Sequence, residues 1–299
     1  MPLSRRQFIT RTAVATAALP FLSPLAAASA PRRRAEFTEI RRGVGFFTER
    51  GGTIGYLRSP DALVAVDTQF PESAQTFLDG LREGSDRGLD LLVNTHHHGD
   101  HTAGNGVLAP VAAMHAAHEA VPGLQRAAAV QSGSLDAQVF ASETYDGAWS
   151  TDVGGETVAL HYFGPAHTCG DSVVHFEQAD VVHMGDLMFN RRQPYIDRGA
   201  GASVANWITV LETVHGRFTD DTAFIFGHAG DGYPVQGDRS DLLAMRDFLT
   251  ELMSAIGKAL AFEVAPADME AHTLDGFEEW GPMPMRVIEP VVAEIQSNQ

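Results

Sequence analysis

Asn94-Thr95-His96-His97-His98-Gly99-Asp100-His101 is a His-x-His-x-Asp-His pattern. Its His96, His98, Asp100 and His101 can offer imidazole and carboxylate ligands to two neighbouring metal ions. The apolar run Leu89-Asp90-Leu91-Leu92-Val93 just before it reads as a buried strand. The small residues Thr102 to Gly106 just after it let backbone come close to a site. Strand-to-loop junctions are where α/β folds place their chemistry. A surface histidine run is the bland alternative, but such tracts are tail-like and of low complexity.

Three later segments have a matching form. Phe163-Gly164-Pro165-Ala166-His167-Thr168 is a turn-rich loop after the apolar strand from Val158, and it presents His167. Val181-Val182-His183-Met184-Gly185-Asp186 is a strand ending in Gly-Asp, and it presents Asp186. Phe224-Ile225-Phe226-Gly227-His228 runs a strand into a glycine-flanked histidine. Each of these side chains follows the end of a short apolar strand.

This set resembles the metallo-β-lactamase superfamily over about residues 36–240. The resemblance implies an α/β protein, a four-layer αββα sandwich with the ligands at one edge of two sheets. It implies that His96, His98 and His167 hold a first zinc. Asp100, His101 and His228 would hold a second, with Asp186 bridging. Asp67, after the strand Ala62 to Val66, matches the superfamily's buried aspartate, which orients a metal ligand. A turn residue ahead of Pro71 is its alternative role. The class B β-lactamases lack a bridging aspartate at the Asp186 position. Gly185-Asp186 looks more like glyoxalase II, lactonases and other binuclear hydrolases. Diiron relatives carry glutamate where His98 stands, so His98 argues against redox iron.

Two zinc ions are therefore the expected cofactors, and other divalent transition metals suit the same donors. The resemblance implies a hydrolase using a metal-bridging hydroxide, with Asp100 as the catalytic carboxylate that orients it. A cyclic amide or ester, such as a β-lactam or lactone, is the expected small-molecule substrate. A thioester or phosphoester hydrolase of the same fold is the nearest competing reading. A single-iron sulfur dioxygenase and a non-catalytic periplasmic metal-binding partner are further ones. Fold alone does not choose among them. Arg191, Arg192 and Tyr195 are candidate substrate contacts, since guanidinium suits carboxylate recognition. A solvated arginine pair, or one paired with Asp197, and a packed tyrosine are the alternatives. His97 points away from its neighbours if the segment is extended, His183 reads as a hydrogen-bonded core histidine, and Cys169 as a small buried residue.

The chain opens Ser4-Arg5-Arg6-Gln7-Phe8-Ile9, followed by an alanine-rich apolar run to about Ala30. Residues 1–30 resemble a twin-arginine export signal. They are too short, and too broken by Thr16, Pro20, Ser23 and Pro24, for a permanent membrane anchor. The expectation is delivery by the twin-arginine translocase and a periplasmic or secreted enzyme. Residues 31–299 are expected to form a single domain with a helical extension from about 240. Cys169 is the only cysteine, so no intramolecular disulfide can form.

The net charge is −17. Losing residues 1–30, with three arginines and no acids, takes it to −20. Such a surface excludes nucleic acid and anionic membranes as natural partners.

Residues 36–68 read as a β-meander, and Pro71 to Glu83 has helical spacing. Helices are expected over 202–217, 238–260 and 286–296. Residues 131–156, rich in Ser, Gly, Asp and Thr, read as a long loop of the kind that binds or covers a site.

Overall fold

The computed structural model describes residues 35–83 and 85–297. The export signal expected over residues 1–30 lies outside them. Four strands run in antiparallel succession: β1 (Glu36–Arg41), β2 (Val44–Thr48), β3 (Ile54–Arg58) and β4 (Leu63–Val66). Parallel strands β5 (Leu91–Asn94), β6 (His115–His118) and β7 (Glu143–Tyr145) complete a seven-stranded sheet. A second sheet holds β8 (Ala148–Val153), β9 (Glu156–His161), β10 (Val173–Phe176) and β11 (Val181–His183). Its far edge, beyond β11, comes from two later strands. Before them, β12 (Phe189–Asn190) pairs in parallel with β14 (His228–Ala229), apart from both sheets. The later strands are β13 (Ala223–Ile225), parallel to β11, and β15 (Gln236–Gly237).

Alternation along the buried strands explains the layers. Val64, Val66, Leu91 and Val93 face the second sheet and pack with its Val174, Phe176 and Ile225. Ala65 and Leu92, one residue out of phase, face the opposite way and pack on helix α1 (Pro71–Arg82) through Phe77 and Leu81. The second sheet repeats the pattern. Val181 faces inward, while Val182 meets helices α5 (Val204–Arg217) and α6 (Arg239–Ala261) on the outer side. A strand buried on both faces must be apolar at every position, as Leu63-Val64-Ala65-Val66 is. Each large side chain so buried contributes about 1.5–3 kcal/mol before entropy is counted. The result is the αββα sandwich.

The other helices are short α2 (Gly99–Thr102) and α3 (Asn105–Leu108), then α4 (Val121–Ser132), α5 (Val204–Arg217), α6 (Arg239–Ala261), α7 (Pro266–Met269) and α8 (Met285–Ser297). Pro71 opens α1, where its missing N–H costs nothing. Asp238 and Asp241 close a reciprocal capping box on α6. Glu294 of α8 is buried and accepts from the backbone N–H groups of Val204 and Ala205 and from the Ser203 hydroxyl. It thereby caps α5 from a distant helix.

Residues 131–156 are not the long loop expected of them. They finish α4, cross from one sheet to the other and supply β7 and β8. Polar residues misled because β8 is an edge strand: Trp149, Thr151 and Val153 turn inward while Ser150 and Asp152 face solvent. None of these residues lines the cleft described below. Among the described residues, no helix is long and apolar enough to cross a membrane.

Candidate metal centre

Loops at the carboxyl ends of β4, β5, β11 and β13 carry Asp67, the His96–His101 segment, Asp186 and His228 to one place. The loop after β9 brings His167. Their donor atoms form two groups. His96, His98, His167 and Asp186 make one, and Asp100, His101 and His228 make the other; within each, the donors lie within 4.8 Å of one another.

In the first group, His98 Nδ1 lies 3.0 Å from His96 Nε2 and 2.9 Å from His167 Nε2. Asp186 Oδ2 sits 3.8 Å from His96 Nε2 and 3.6 Å from His167 Nε2. The same oxygen is 3.3 Å from His228 Nε2, and Asp186 Oδ1 is 3.0 Å from His101 Nε2. Asp186 therefore stands between the groups. Asp100 Oδ2 completes the second, 3.2 Å from His228 Nε2 and 3.9 Å from His101 Nε2. Close backbone permits this. A Cβ on Gly227 would collide with Asp186 Oδ1, so only glycine fits.

The far side of each ring shows what the near side must be. His98 Nε2 donates to Asp197 Oδ2 at 2.9 Å. His167 Nδ1 donates to the Tyr195 carbonyl at 2.7 Å. His101 Nδ1 donates to Asp67 Oδ2 at 2.8 Å. Thr95 Oγ1 donates to the same Asp67 oxygen at 2.8 Å, which leaves it to accept from His96 Nδ1 at 3.0 Å. A neutral imidazole with a proton on one nitrogen presents a lone pair on the other. In the first group three lone pairs thus converge with a carboxylate oxygen. Such an arrangement repels itself unless a cation lies among them.

Electrostatics separates the two groups. Burial, reinforced by His101, holds the His96 imidazole well below its ordinary range. Burial takes His167 down to about 3 against the pull of Asp186. Both stay neutral, ready to ligate. Burial also pulls His101 down, but Asp186, Asp67 and Asp100 outweigh it and raise it well above the ordinary range. His228 is raised in the same way by Asp186 and Asp100 against its burial. Burial pushes Asp100 up, and the imidazoles of His101 and His228 bring it down to about 2. The second group therefore demands a positive charge, a proton or a metal ion.

Protons and metal compete at the second group and hardly at the first. As pH falls, His101 and His228 protonate before His96 and His167. Metal held by Asp100, His101 and His228 is expected to leave at the higher pH. Metal content after dialysis between roughly pH 8 and pH 4 should fall in two steps. A single step losing both ions together would contradict this ordering.

Asp67 is fully buried at φ +67° and also accepts from the Thr95 backbone N–H at 2.8 Å. It fixes both Thr95 and His101. His183 donates from Nε2 to the Thr53 carbonyl and accepts at Nδ1 from the Gly185 N–H, so it is a satisfied core histidine. His97 Nε2 stands 3.7 Å from Asp197, and with His98 and Asp197 it makes a third cluster of donors that Asp186 does not join. Cys169 belongs to neither donor group.

A cleft of about 450 Å³ opens over the two groups, bordered by His98, Asp100, Asp186 and His228. Phe189 stacks on the His228 ring and forms part of its wall. The candidate substrate contacts divide. Arg192 and Tyr195 border the cleft. Arg191 does not; its guanidinium pairs with Asp241 at 2.9 Å and Glu279 at 3.3 Å and lies over Trp280. A left-handed backbone at Arg191, φ +49°, accompanies this diversion from the substrate role expected of it. Gln193, Arg286 and the contact of Asp197 with His98 escaped notice in the sequence, because each reaches the site from a loop or helix with no motif of its own.

The family model described as "Metallo-beta-lactamase superfamily" matches residues 47–258. The chain belongs to this superfamily. Among solved structures, it is similar to a metallo-beta-lactamase from Pontibacter korlensis at TM-score 0.60 and 18% identity, covering 73% of this chain and 99% of that one. It is similar at the same TM-score and identity to the DIM-1 metallo-beta-lactamase, over 73% of this chain and 98% of that one. At such identities the likeness shows the fold. A curated relative is the 2,4-dinitroanisole O-demethylase subunit alpha of Nocardioides sp. (strain JS1661), 30% identical over 130 residues. That match covers 42% of this chain and spans 38% of the relative's length.

In this superfamily member, Asp197 holds a metal-facing histidine in its tautomer while its other oxygen accepts from the Ala200 N–H. Asp197→Asn should weaken metal binding at the His96, His98 and His167 group by about 10- to 100-fold. Competition against a chromophoric chelator reads the loss. Unchanged affinity would mean that Asp197 serves only its own turn.

Proposed function

We propose that this metallo-β-lactamase superfamily member is a binuclear zinc hydrolase acting on a cyclic amide or ester, such as a β-lactam or lactone. The observation that carries this reading is Asp186, whose carboxylate stands between two groups of donors. His96, His98 and His167 would hold one ion, Asp100, His101 and His228 the other, and Asp186 both. Two such ions would supply hydroxide at neutral pH and polarise a substrate oxygen.

The chain's own residues do the rest. Asp100 is ionised at neutral pH and borders the cleft, so it can accept a hydrogen bond from the attacking water and orient it. Tyr195 is 45% exposed, with its ring edge-on to His98, and its hydroxyl can donate to a substrate oxygen. Phe189 gives the cleft an apolar wall. No serine or cysteine nucleophile borders it among the described residues. The arginine pair and apolar run of residues 1–30 support delivery by the twin-arginine translocase to the periplasm or beyond.

The test is turnover of a chromogenic cephalosporin and a chromogenic lactone by the zinc-loaded chain, with His98→Ala as control. Turnover of either, lost in the variant, carries the proposal. Two bound ions with no turnover of either would remove the cyclic substrates and leave thioesters and phosphoesters.

The O-demethylase relative supports a second reading, cleavage of an electron-poor aryl ether. Attack by water on such a ring carbon expels an alcohol and needs the same oriented hydroxide. Release of the coloured phenolate from 2,4-dinitroanisole distinguishes it from the first reading.

A further inference from the structure

His97, His98 and Asp197 each offer one donor atom, and the three atoms lie within 4.8 Å of one another. Asp197 Oδ2 is 2.9 Å from His98 Nε2 and 3.7 Å from His97 Nε2. The other oxygen, Oδ1, accepts from the Ala200 N–H, which fixes the carboxylate and leaves Oδ2 to the two imidazoles.

His97 is the member that the binuclear reading leaves without a task. Its side chain is only 4% exposed, yet Nδ1 is buried with no hydrogen-bond partner among the described residues. Its Nε2 is too far from Asp197 for a hydrogen bond. Buried imidazoles are normally satisfied, as both nitrogens of His183 are. A cation between His97 Nε2 and Asp197 Oδ2 would give that nitrogen a partner. Two imidazoles and a carboxylate make a three-ligand zinc set with room for water, and they suit other first-row divalent ions. Solvent reaches the cluster: His98 is 16% and Asp197 20% exposed, against 1% for His96 and 4% for Asp186. Neither His97 nor Asp197 borders the cleft.

We propose that His97, His98 and Asp197 form a third, weaker site for a divalent cation, opposed to the first donor group through His98. This rests on reading that group as a metal site. A neutral imidazole carries one proton. In the arrangement seen, it sits on His98 Nε2 and donates to Asp197, so Nδ1 faces His96 and His167 with a lone pair. An ion in the third site needs the Nε2 lone pair. The proton therefore leaves Nε2 for Nδ1, the bond from Nε2 to the third ion forms, and the bond from Nδ1 to the first ion is lost. Charge is conserved. The first ion keeps His96, His167 and Asp186 and is held more loosely. High free metal thus acts against the catalytic centre from outside the cleft, and by reciprocity the first ion weakens the third.

Equilibrium dialysis of the protein holding two zincs, against rising free zinc, tests this. The native chain should take up a third ion more weakly than the first two. His97→Ala and His97→Gln should each stop at two, and those two ions show that the variants are folded. His96→Ala weakens the first group but keeps all three donors of the third, so chelator competition should find the third site tightened by about tenfold. Nitrogen NMR of His98 should show its proton moving from Nε2 to Nδ1 as the third ion binds. Uptake that ends at two zincs in the native chain overturns the proposal and leaves the binuclear reading standing. So does a third ion kept by both His97 variants, which is zinc held adventitiously by an acidic surface. A third site indifferent to His96→Ala overturns the opposition through His98. Fewer than two zincs in the native chain overturns the binuclear reading, and this one with it.

Discussion

On the proposed binuclear reading, Asp186→Ala is expected to lower bound zinc from two ions per chain to about one or fewer, and to cut turnover by about 1000-fold. The carboxylate is 4% exposed and contacts both donor groups, with His101 and His228 on one side and His96 and His167 on the other. Burial works against its charge, yet His228 and His101 hold it well below the usual carboxylate range. Removing it leaves the first group with three imidazoles and no carboxylate, and the second with only Asp100 as anion. The second should empty first, because its histidines then gain protons more easily than metal. Metal analysis of the purified variant, alongside its rate, is the check. Two zincs with full activity would exclude a shared carboxylate.

Asp67→Ala is expected to destabilise the fold by about 3–5 kcal/mol. The lost carboxylate strands the Thr95 N–H, the Thr95 hydroxyl and His101 Nδ1, all in a site without water access. An unpaired buried donor costs about 1–3 kcal/mol, and three are left here. For a chain of this size the midpoint of thermal unfolding should fall by roughly 10 °C. Asp67→Asn separates packing from electrostatics. It keeps the shape and an acceptor for Thr95, but turns an amide toward His101 and disfavours the tautomer that aims Nε2 at Asp186. That variant should lose metal affinity more than stability. Thermal unfolding of the metal-free proteins, beside chelator competition, distinguishes the two effects.

The candidate donor cluster was legible because four of its side chains share one short segment and the others each follow an apolar strand. The αββα layering followed from the family resemblance; strands such as Leu63 to Val66, apolar throughout, by themselves carry only the expectation of buried strands. What holds the donors was harder to see. Asp197 lies 99 residues from His98, in a loop without periodicity. Arg191 and Arg192 are adjacent and identical in type, yet one is captured by carboxylates of α6 and the tail while the other faces the cleft. Only tertiary contacts decide between them. Edge strand β8 escaped because polar residues on its exposed face mimic a loop.

The loop of residues 191–197 serves two masters. Its side chains at Arg192, Gln193 and Tyr195 wall the cleft. Its Tyr195 carbonyl and Asp197 carboxylate orient His167 and His98. Tyr195 reaches His167 Nδ1 through its backbone carbonyl, so exchanging its side chain removes ring contacts with His98 and His167 but keeps that hydrogen bond. Descendants of this chain can therefore acquire new substrate preferences by substitution at these positions. An inserted or deleted residue would instead shift the carbonyl and the carboxylate together. Evolvability here runs through side-chain identity at fixed loop length.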